Sequence, residues 1–340
     1  MPKRPVLVTG ASGFLAKHIV LNLLAAGREV RASVRTAAKG ETVRRAVLPL
    51  LPPDAASRLS FVTLDLMRDA GWADALAGCS ALIHTASPFP IKEPDEPMDL
   101  IRPALEGTMR ALRAAQEAGV RRVVLTSSTV AVLGSDSHAG RPATEMDWAD
   151  TDRPGTGAYT RSKTLAERAA WDFVARAGKG IALTTINPGW ILGPPLDADY
   201  GSSISLVRRV LRGRDPMLPE LGFVVVDVRD VAEMHVRALD RPQSIGERVL
   251  AVSGSLSLPE WGKALKAAYP DRRIPTRTAP RLLLKALSLF DAEIRAALPL
   301  LGHFPEASNQ KARDLLQIDF IPPTEALLAS ADWLARHQAI

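Results

Sequence analysis

Through the first half of this chain, short β-branched apolar runs alternate with stretches of helical periodicity. Val6-Leu7-Val8, Val30 to Val34, Phe61 to Leu64, Ala81 to Ile83, Val123 to Leu125 and Ile181 to Ile186 read as strands. Between them, Phe14 to Ala26, Thr42 to Leu48, Trp72 to Ala77, Met98 to Ala118 and Tyr159 to Ala177 read as helices. In the first of these, Leu15, Ile19 and Leu23 stand at i, i+4 and i+8 and share one face. Strands separated by helix-length connections have to run parallel, and right-handed crossovers then put helices on both faces of a doubly wound sheet. The expected fold class is α/β.

After Asn187-Pro188-Gly189 the pattern changes. Pro194-Pro195, Pro216 and Pro219 interrupt the alternation, Phe223 to Val226 returns as a strand, and Val231 to Leu239 follows as a helix. Leu256 to Phe320 is helix-rich and divided by prolines. The expected organisation is a dinucleotide-binding sheet domain over 1–188, with 222–240 returning to it. A smaller, helix-rich C-terminal substrate lobe then comprises 189–221 and 241–340. Its expected place is over the carboxyl edge of the sheet.

Composition removes other classes. At 340 residues, 46% hydrophobic and 24% charged, the chain buries a core, which excludes disordered and collagen-like architectures. Its single cysteine, Cys79, excludes an internal disulfide and thiolate metal clusters. Leu282 to Phe290 is broken by Lys285 and is far shorter than the ~20 residues of a membrane span. Val6-Leu7-Val8 is too short for a signal-peptide core. The expectation is a soluble cytoplasmic protein, a monomer or homodimer. The formal charge is +6, but the basic residues are scattered in pairs such as Arg44-Arg45 and Arg121-Arg122, without aromatic interleaving. A solvated surface is expected, with no nucleic acid or membrane partner; no His, Asp and Glu cluster has metal-ligand spacing.

The first strand runs into Thr9-Gly10-Ala11-Ser12-Gly13-Phe14-Leu15-Ala16, which opens the first helix. Gly10 permits a tight turn, Gly13 lets the backbone approach a ligand, and small Ala16 packs the helix on the sheet. The amides and dipole at that helix N-terminus suit a pyrophosphate. A carboxylate at the end of the second strand would hold the ribose of NAD; Val30-Arg31-Ala32-Ser33-Val34-Arg35 has none. Arg35, with Lys39 nearby, suits the extra phosphate of NADP instead, so NADPH is the expected cofactor.

Tyr159 and Lys163 stand four apart at the start of a helix, so the ammonium shares a face with the phenol and favours its phenolate. A useful lowering of ~3 pKa units requires roughly 4 kcal/mol. Thr126-Ser127-Ser128 ends the fifth strand at the carboxyl edge, where open α/β sheets bind ligands; a serine hydroxyl there can hold a substrate carbonyl while Tyr159 delivers the proton.

Taken in order, Thr9-Gly10-Ala11-Ser12-Gly13-Phe14, His84-Thr85-Ala86-Ser87-Pro88, Thr126-Ser127-Ser128, Tyr159-x-x-x-Lys163 and Asn187-Pro188-Gly189 make a pattern that resembles the extended short-chain dehydrogenase/reductases. More narrowly, the chain is similar to the dihydroflavonol reductase and cinnamoyl-CoA reductase group, which includes microbial aldehyde and ketone reductases. The resemblance implies a Rossmann sheet, with Gly10, Ser12, Gly13, Phe14 and Leu15 in the cofactor turn. It implies that Ser128 is catalytic, with Ser127 as the fallback, that Tyr159 is the proton donor, and that Lys163 lowers its pKa and holds the nicotinamide ribose. Asp65-Leu66 then matches the adenine contact, His84-Thr85-Ala86 and Ser87 the nicotinamide side, and Pro188-Gly189 the carboxamide. Val226-Asp227-Val228-Arg229-Asp230-Val231 matches a structural, cofactor-supporting segment. The stretch Ala104-Leu105-Glu106-Gly107-Thr108 lacks the asparagine that many members carry there, so no proton relay is assigned.

The function these residues imply is NADPH-dependent reduction of an aldehyde or ketone with an apolar or aromatic substituent, reversible as alcohol oxidation. The alternatives are an NAD-dependent nucleotide-sugar epimerase or dehydratase, which Arg208, Arg209, Arg212 and Arg214 keep open as a diphosphate clamp, and a non-catalytic cofactor sensor. His84 reads as a strand-end residue rather than a base, and His235 as a surface or packing residue. Trp148, Trp190, Phe89, Tyr200, Met217 and Phe223 are candidates either for the substrate wall, together with Pro88-Phe89-Pro90, or for the core.

Overall fold

The computed structural model describes residues 4–87, 96–133, 140–178 and 180–337; Pro88, Phe89 and Pro90 lie outside the described residues. In chain order the first half reads β1 (Val6–Thr9), α1 (Phe14–Ala25), β2 (Val30–Val34), α2 (Ala37–Val47), β3 (Leu59–Thr63), α3 (Trp72–Leu76), β4 (Ala81–His84), α4 (Met98–Glu117), β5 (Arg122–Thr126), α5 (Val130–Leu133), α6 (Ala158–Arg176) and β6 (Ala182–Pro188). There follow β7 (Trp190–Leu192), α7 (Ser202–Arg212), β8 (Gly222–Asp227), α8 (Val228–Asp240), β9 (Arg248–Ala251), β10 (Gly254–Ser257), α9 (Leu258–Ala268), α10 (Arg281–Leu287), α11 (Ala292–Ala297), α12 (Gln310–Leu316) and α13 (Pro323–Arg336).

Seven strands form one sheet in the order β3-β2-β1-β4-β5-β6-β9, every pair parallel, which is a doubly wound Rossmann topology whose strand order reverses between β1 and β4. Successive residues point to opposite faces, and both faces are covered. On β1, Val6 and Val8 enter the core shared with α1, α2 and α8, while Leu7 enters the core shared with α3, α4 and α6. The same split places Ile83 and Val124 on the first side and Leu82, Val123 and Leu183 on the second.

Several boundaries differ from expectation for local reasons. The helix expected at Thr42 begins at Ala37, because the Thr36 hydroxyl accepts the Lys39 N–H at 3.4 Å and caps a first turn with little apolar content. Likewise α8 begins at Val228 rather than Val231, capped by the Asp227 carboxylate, which accepts the Arg229 N–H at 2.8 Å. The strand at the main sheet's edge is also corrected. Phe223 to Val226 lies in β8, which pairs with β7 and β10 in a separate three-stranded sheet; Arg248–Ala251 takes the place beside β6. Of the segment 222–240, the helix packs on the main sheet, and from β8 Val226 reaches the same core while Val224 packs against Leu250 of β9. From the C-terminal region β9 and α12 also join that side, through Ala312, Leu316 and Ile318.

The second lobe has its own core. Ile204, Val207, Val210 and Leu211 of α7 meet Trp261 and Leu265 of α9, Leu327 and Leu334 of α13, and Val225 of β8. Among the described residues no helix is long and apolar enough to cross a membrane, and no group of three or more His, Cys, Asp or Glu is placed to hold a metal.

Candidate active site

The carboxyl ends of β1 and β4 are tied to each other. The Thr9 hydroxyl shares a hydrogen bond with His84 Nδ1 at 2.8 Å and accepts the Ala86 N–H at 3.2 Å. The Thr85 hydroxyl donates to the Thr9 carbonyl at 2.5 Å. Above this clasp Gly10 turns with φ +65°, a left-handed conformation that side chains resist, and a Cβ added there would sit 3.0 Å from both Cα and Cβ of Ala86. Gly13 then starts α1 in an extended conformation, with no side chain capping the helix and no acidic residue in its first turn. The first-turn N–H groups and the positive end of the dipole therefore face the crevice at the topological switch point. Ser12 and Phe14 are half-buried beside it, whereas the Leu15 side chain is in the core and can offer a ligand only its backbone.

On the far side of the turn, Arg35 is exposed and forms no ion pair among the described residues. Lys39 does: its ammonium meets Asp199 at 2.5 Å, both side chains about half exposed. Beneath them the buried Lys17 ammonium is paired with Asp197 and donates to the Asp199 carbonyl at 3.1 Å, pinning this loop to α1. Asp65 is exposed, accepts the Met67 N–H at 2.9 Å and faces Arg68; Leu66 is half-buried against Gly107.

Across the crevice, the Ser128 hydroxyl just beyond β5 faces the Tyr159 phenol in the first turn of α6, near enough to favour its phenolate. The Lys163 ammonium, one turn along α6, stands 5.8 Å from the centre of the Tyr159 ring. The helix phase predicted from the four-residue spacing is therefore present. The electrostatics differ from expectation. Burial pushes the phenol upward and the Ser128 hydroxyl opposes it, while burial brings Lys163 down to about 8 against the attraction of Glu167. Desolvation outweighs the serine hydroxyl, so the phenol sits above its ordinary range and Tyr159 holds its proton at neutral pH. Ser87 and Lys163 line a small cavity together with Thr108 and Glu167. Pro188 is buried, and its carbonyl accepts the Thr129 N–H at 2.9 Å. Gly189 lies under β8 so tightly that a Cβ would fall 2.5 Å from the Val224 carbonyl oxygen.

Sequence reasoning missed one group of residues at this site. Ser127 donates to the Glu167 carboxylate at 2.6 Å, and Asn187, Thr185 and Arg248 converge on the same carboxylate. Glu167 stands four residues beyond Lys163, a spacing visible in the sequence, yet a glutamate in a helix ordinarily marks a solvated face. His84 is buried and pushed down to about 3 by that burial, which makes it a neutral strut and not a base. His235 is fully buried between the Thr126 hydroxyl at 2.8 Å and the Val231 carbonyl at 2.7 Å, a packing role. Most of the candidate wall aromatics are spent on packing: Trp190 lies 4.4 Å from Phe223, Phe223 meets Trp261, and Tyr200 meets Trp333 edge to face. Trp148 lies under the Arg248 guanidinium at 3.5 Å, and Met217 packs on the cluster of Ala279, Leu284 and Leu301.

Comparison with known proteins agrees with this geometry. Residues 6–252 match the NAD dependent epimerase/dehydratase family. Tetraketide alpha-pyrone reductase 1 of Arabidopsis thaliana is 37% identical over 284 residues, 81% of this chain and 84% of that protein. Dihydroflavonol 4-reductase of Hordeum vulgare is 34% identical over 286 residues, 82% of this chain and 78% of that protein. The crystal structure of yeast methylglyoxal/isovaleraldehyde reductase Gre2 complexed with NADPH superposes with a TM-score of 0.80 at 27% identity, covering 99% of this chain and all of that one. With the family's strand order, glycine turn and Tyr-Lys helix all in place, the chain belongs to the NAD dependent epimerase/dehydratase family, as an extended short-chain dehydrogenase/reductase.

Proposed function

We propose that this chain is an NADPH-dependent carbonyl reductase acting on an aldehyde or ketone. The observation that carries the reading is the contact of Ser128 with Tyr159 beside the Lys163 ammonium, at the carboxyl edge of the sheet and across from an uncapped helix N-terminus. The residues present fit the cofactor. The open first turn of α1 suits a pyrophosphate, and the close Gly10–Ala86 approach keeps side chains out of its path. Arg35, exposed and without an ion pair among the described residues, suits a 2′-phosphate, which Lys39 would join by exchanging Asp199 for it. The related Gre2 structure is an NADPH complex.

Bound NADPH supplies the hydride. The chain's own groups manage the oxygen and the proton. The Ser128 hydroxyl hydrogen-bonds the carbonyl oxygen, the Tyr159 phenol gives that oxygen its proton, and the Lys163 ammonium stabilises the phenolate left behind. A phenol held protonated by burial is a competent acid for reduction at neutral pH, whereas alcohol oxidation needs the phenolate and is favoured at alkaline pH. The epimerase reading is weaker, because Arg209 of its supposed diphosphate clamp is already held by Asp215 at 2.8 Å. A cofactor sensor has no use for Ser128, Tyr159 and Lys163 gathered at one place.

The test is Tyr159→Phe, assayed by NADPH absorbance against a panel of aldehydes, ketones, dihydroflavonols and acyl-CoA thioesters. Turnover is expected to collapse while NADPH binding, followed by fluorescence, persists; undiminished turnover overturns the mechanism.

A further inference from the structure

Glu167 is a fully buried carboxylate with four close partners, and the reaction as described does not use it. Its oxygens accept from Ser127 Oγ at 2.6 Å, Asn187 Nδ2 at 2.7 Å, Arg248 Nε at 2.7 Å and Thr185 Oγ1 at 3.1 Å. These partners come from the end of β5, from β6 and from β9, and all point at one residue of α6. We propose that Glu167 is a positioning residue for the reductase reaction, turning Ser128 toward Tyr159 and keeping the Lys163 ammonium charged. This rests on the carbonyl reductase reading above.

Two lines of geometry support it. Ser127 and Ser128 are consecutive, and successive side chains leaving a strand diverge. With the Ser127 hydroxyl drawn to Glu167, that of Ser128 is directed to the other side, where Tyr159 stands. Asn187 ties the two arrangements together, since its amide donates to Glu167 and also, at 3.2 Å, to the Ser128 carbonyl. The second line concerns charge. Glu167 stands one helical turn from Lys163, and both line a cavity of about 10 Å³ with Ser87, Thr108 and Ser127. The groups around Lys163 are Tyr159 and Glu167 on α6, neutral His84 on β4, and Arg248 on β9 behind Glu167; α4 contributes uncharged Thr108 and β5 Thr126. Glu167 is the one anion in this set, and its attraction opposes the burial that brings Lys163 down to about 8.

The test measures kcat/KM for carbonyl reduction across pH in the full chain. Glu167→Gln is expected to lower kcat at least tenfold and to move the alkaline limb about one pH unit lower. Glu167→Asp, which retains the charge, is expected to leave the limb in place even where kcat falls. Arg248→Met removes the cation that competes for Glu167, so its limb is expected to move higher, and this opposite sign decides the matter if Glu167→Gln does not fold. A limb that stays fixed in Glu167→Gln or Arg248→Met overturns the inference and leaves a structural role only. A wild-type chain without turnover on any carbonyl overturns the reductase reading instead, so the two failures are distinguishable.

Discussion

The hydroxyl of Ser127 donates to the Glu167 carboxylate at 2.6 Å, so of two adjacent serines at the end of β5 it is Ser128 that faces Tyr159. The family resemblance pointed to Ser128, with Ser127 as the fallback. The two alanine substitutions should therefore separate. Ser128→Ala is expected to reduce turnover about 10²-fold or more, with little change in stability, because it removes a hydrogen bond at the reacting oxygen. Ser127→Ala leaves a buried carboxylate short of a donor and is expected to cost about 1–3 kcal/mol in urea unfolding, with a smaller kinetic loss. The reverse ranking would move the catalytic role to Ser127.

Gly10 is constrained twice, by its φ of +65° and by Ala86 at 3.0 Å from a Cβ. Gly10→Ala is expected to lower stability by about 1–2 kcal/mol through the left-handed backbone alone. Relieving the contact with Ala86 would shift the carboxyl end of β4 and with it Thr85. NADPH affinity should fall more than the melting temperature implies, which a fluorescence titration run beside calorimetry measures.

The preference between NADPH and NADH should be adjustable from both ends. Arg35→Glu is expected to lower the NADPH to NADH efficiency ratio at least tenfold, since a carboxylate would repel the 2′-phosphate. Asp199→Asn has the opposite expectation: it releases Lys39 from its ion pair and raises the ratio. Both side chains of that pair are half exposed, so the gain is expected within a factor of about five, the range of solvent-screened pairs. An unchanged ratio in Arg35→Glu would remove Arg35 from the phosphate site.

How much of this was legible in the sequence follows from what each residue's neighbours supply. The parallel sheet was readable because strands buried on both faces need continuous apolar runs, and β1, β4 and β5 have them. β9 was not, because it starts with Arg248, which reads as a surface residue until Glu167 and the Trp148 ring are seen to enclose it. Phe223 to Val226 was readable as a strand but not as part of the smaller sheet, since apolar content reports burial and not pairing partners. The four-residue spacing brought Tyr159 and Lys163 to one place as expected. The direction in which Tyr159 shifts depends on how much water the fold removes, which no local pattern carries.

Three buried histidines should make stability fall on the acid side. Burial brings His18 and His235 down to about 4 and His84 to about 3, against 6.5 for an unperturbed imidazole. The folded chain keeps all three neutral where the unfolded chain has protonated them, so the unfolded state binds more protons and stability rises with pH. Their contribution is present above about 6.5 and is lost as pH falls toward the folded values, on the order of 3 kcal/mol for each by about pH 4. Asp230 acts in the opposite sense: burial raises it to about 6, so the folded state takes up its proton first and gains stability below that pH. One such group offsets only part of the loss from three. The urea midpoint is therefore expected to drop steeply between about pH 6.5 and 4.5, comparable with the total stability of a typical domain, about 5–15 kcal/mol. His84→Asn should lower the midpoint at pH 7.5, where its bond with Thr9 is lost, yet flatten the slope on the acid side. A slope identical to that of the parent chain would show that His84 is already protonated in the folded state.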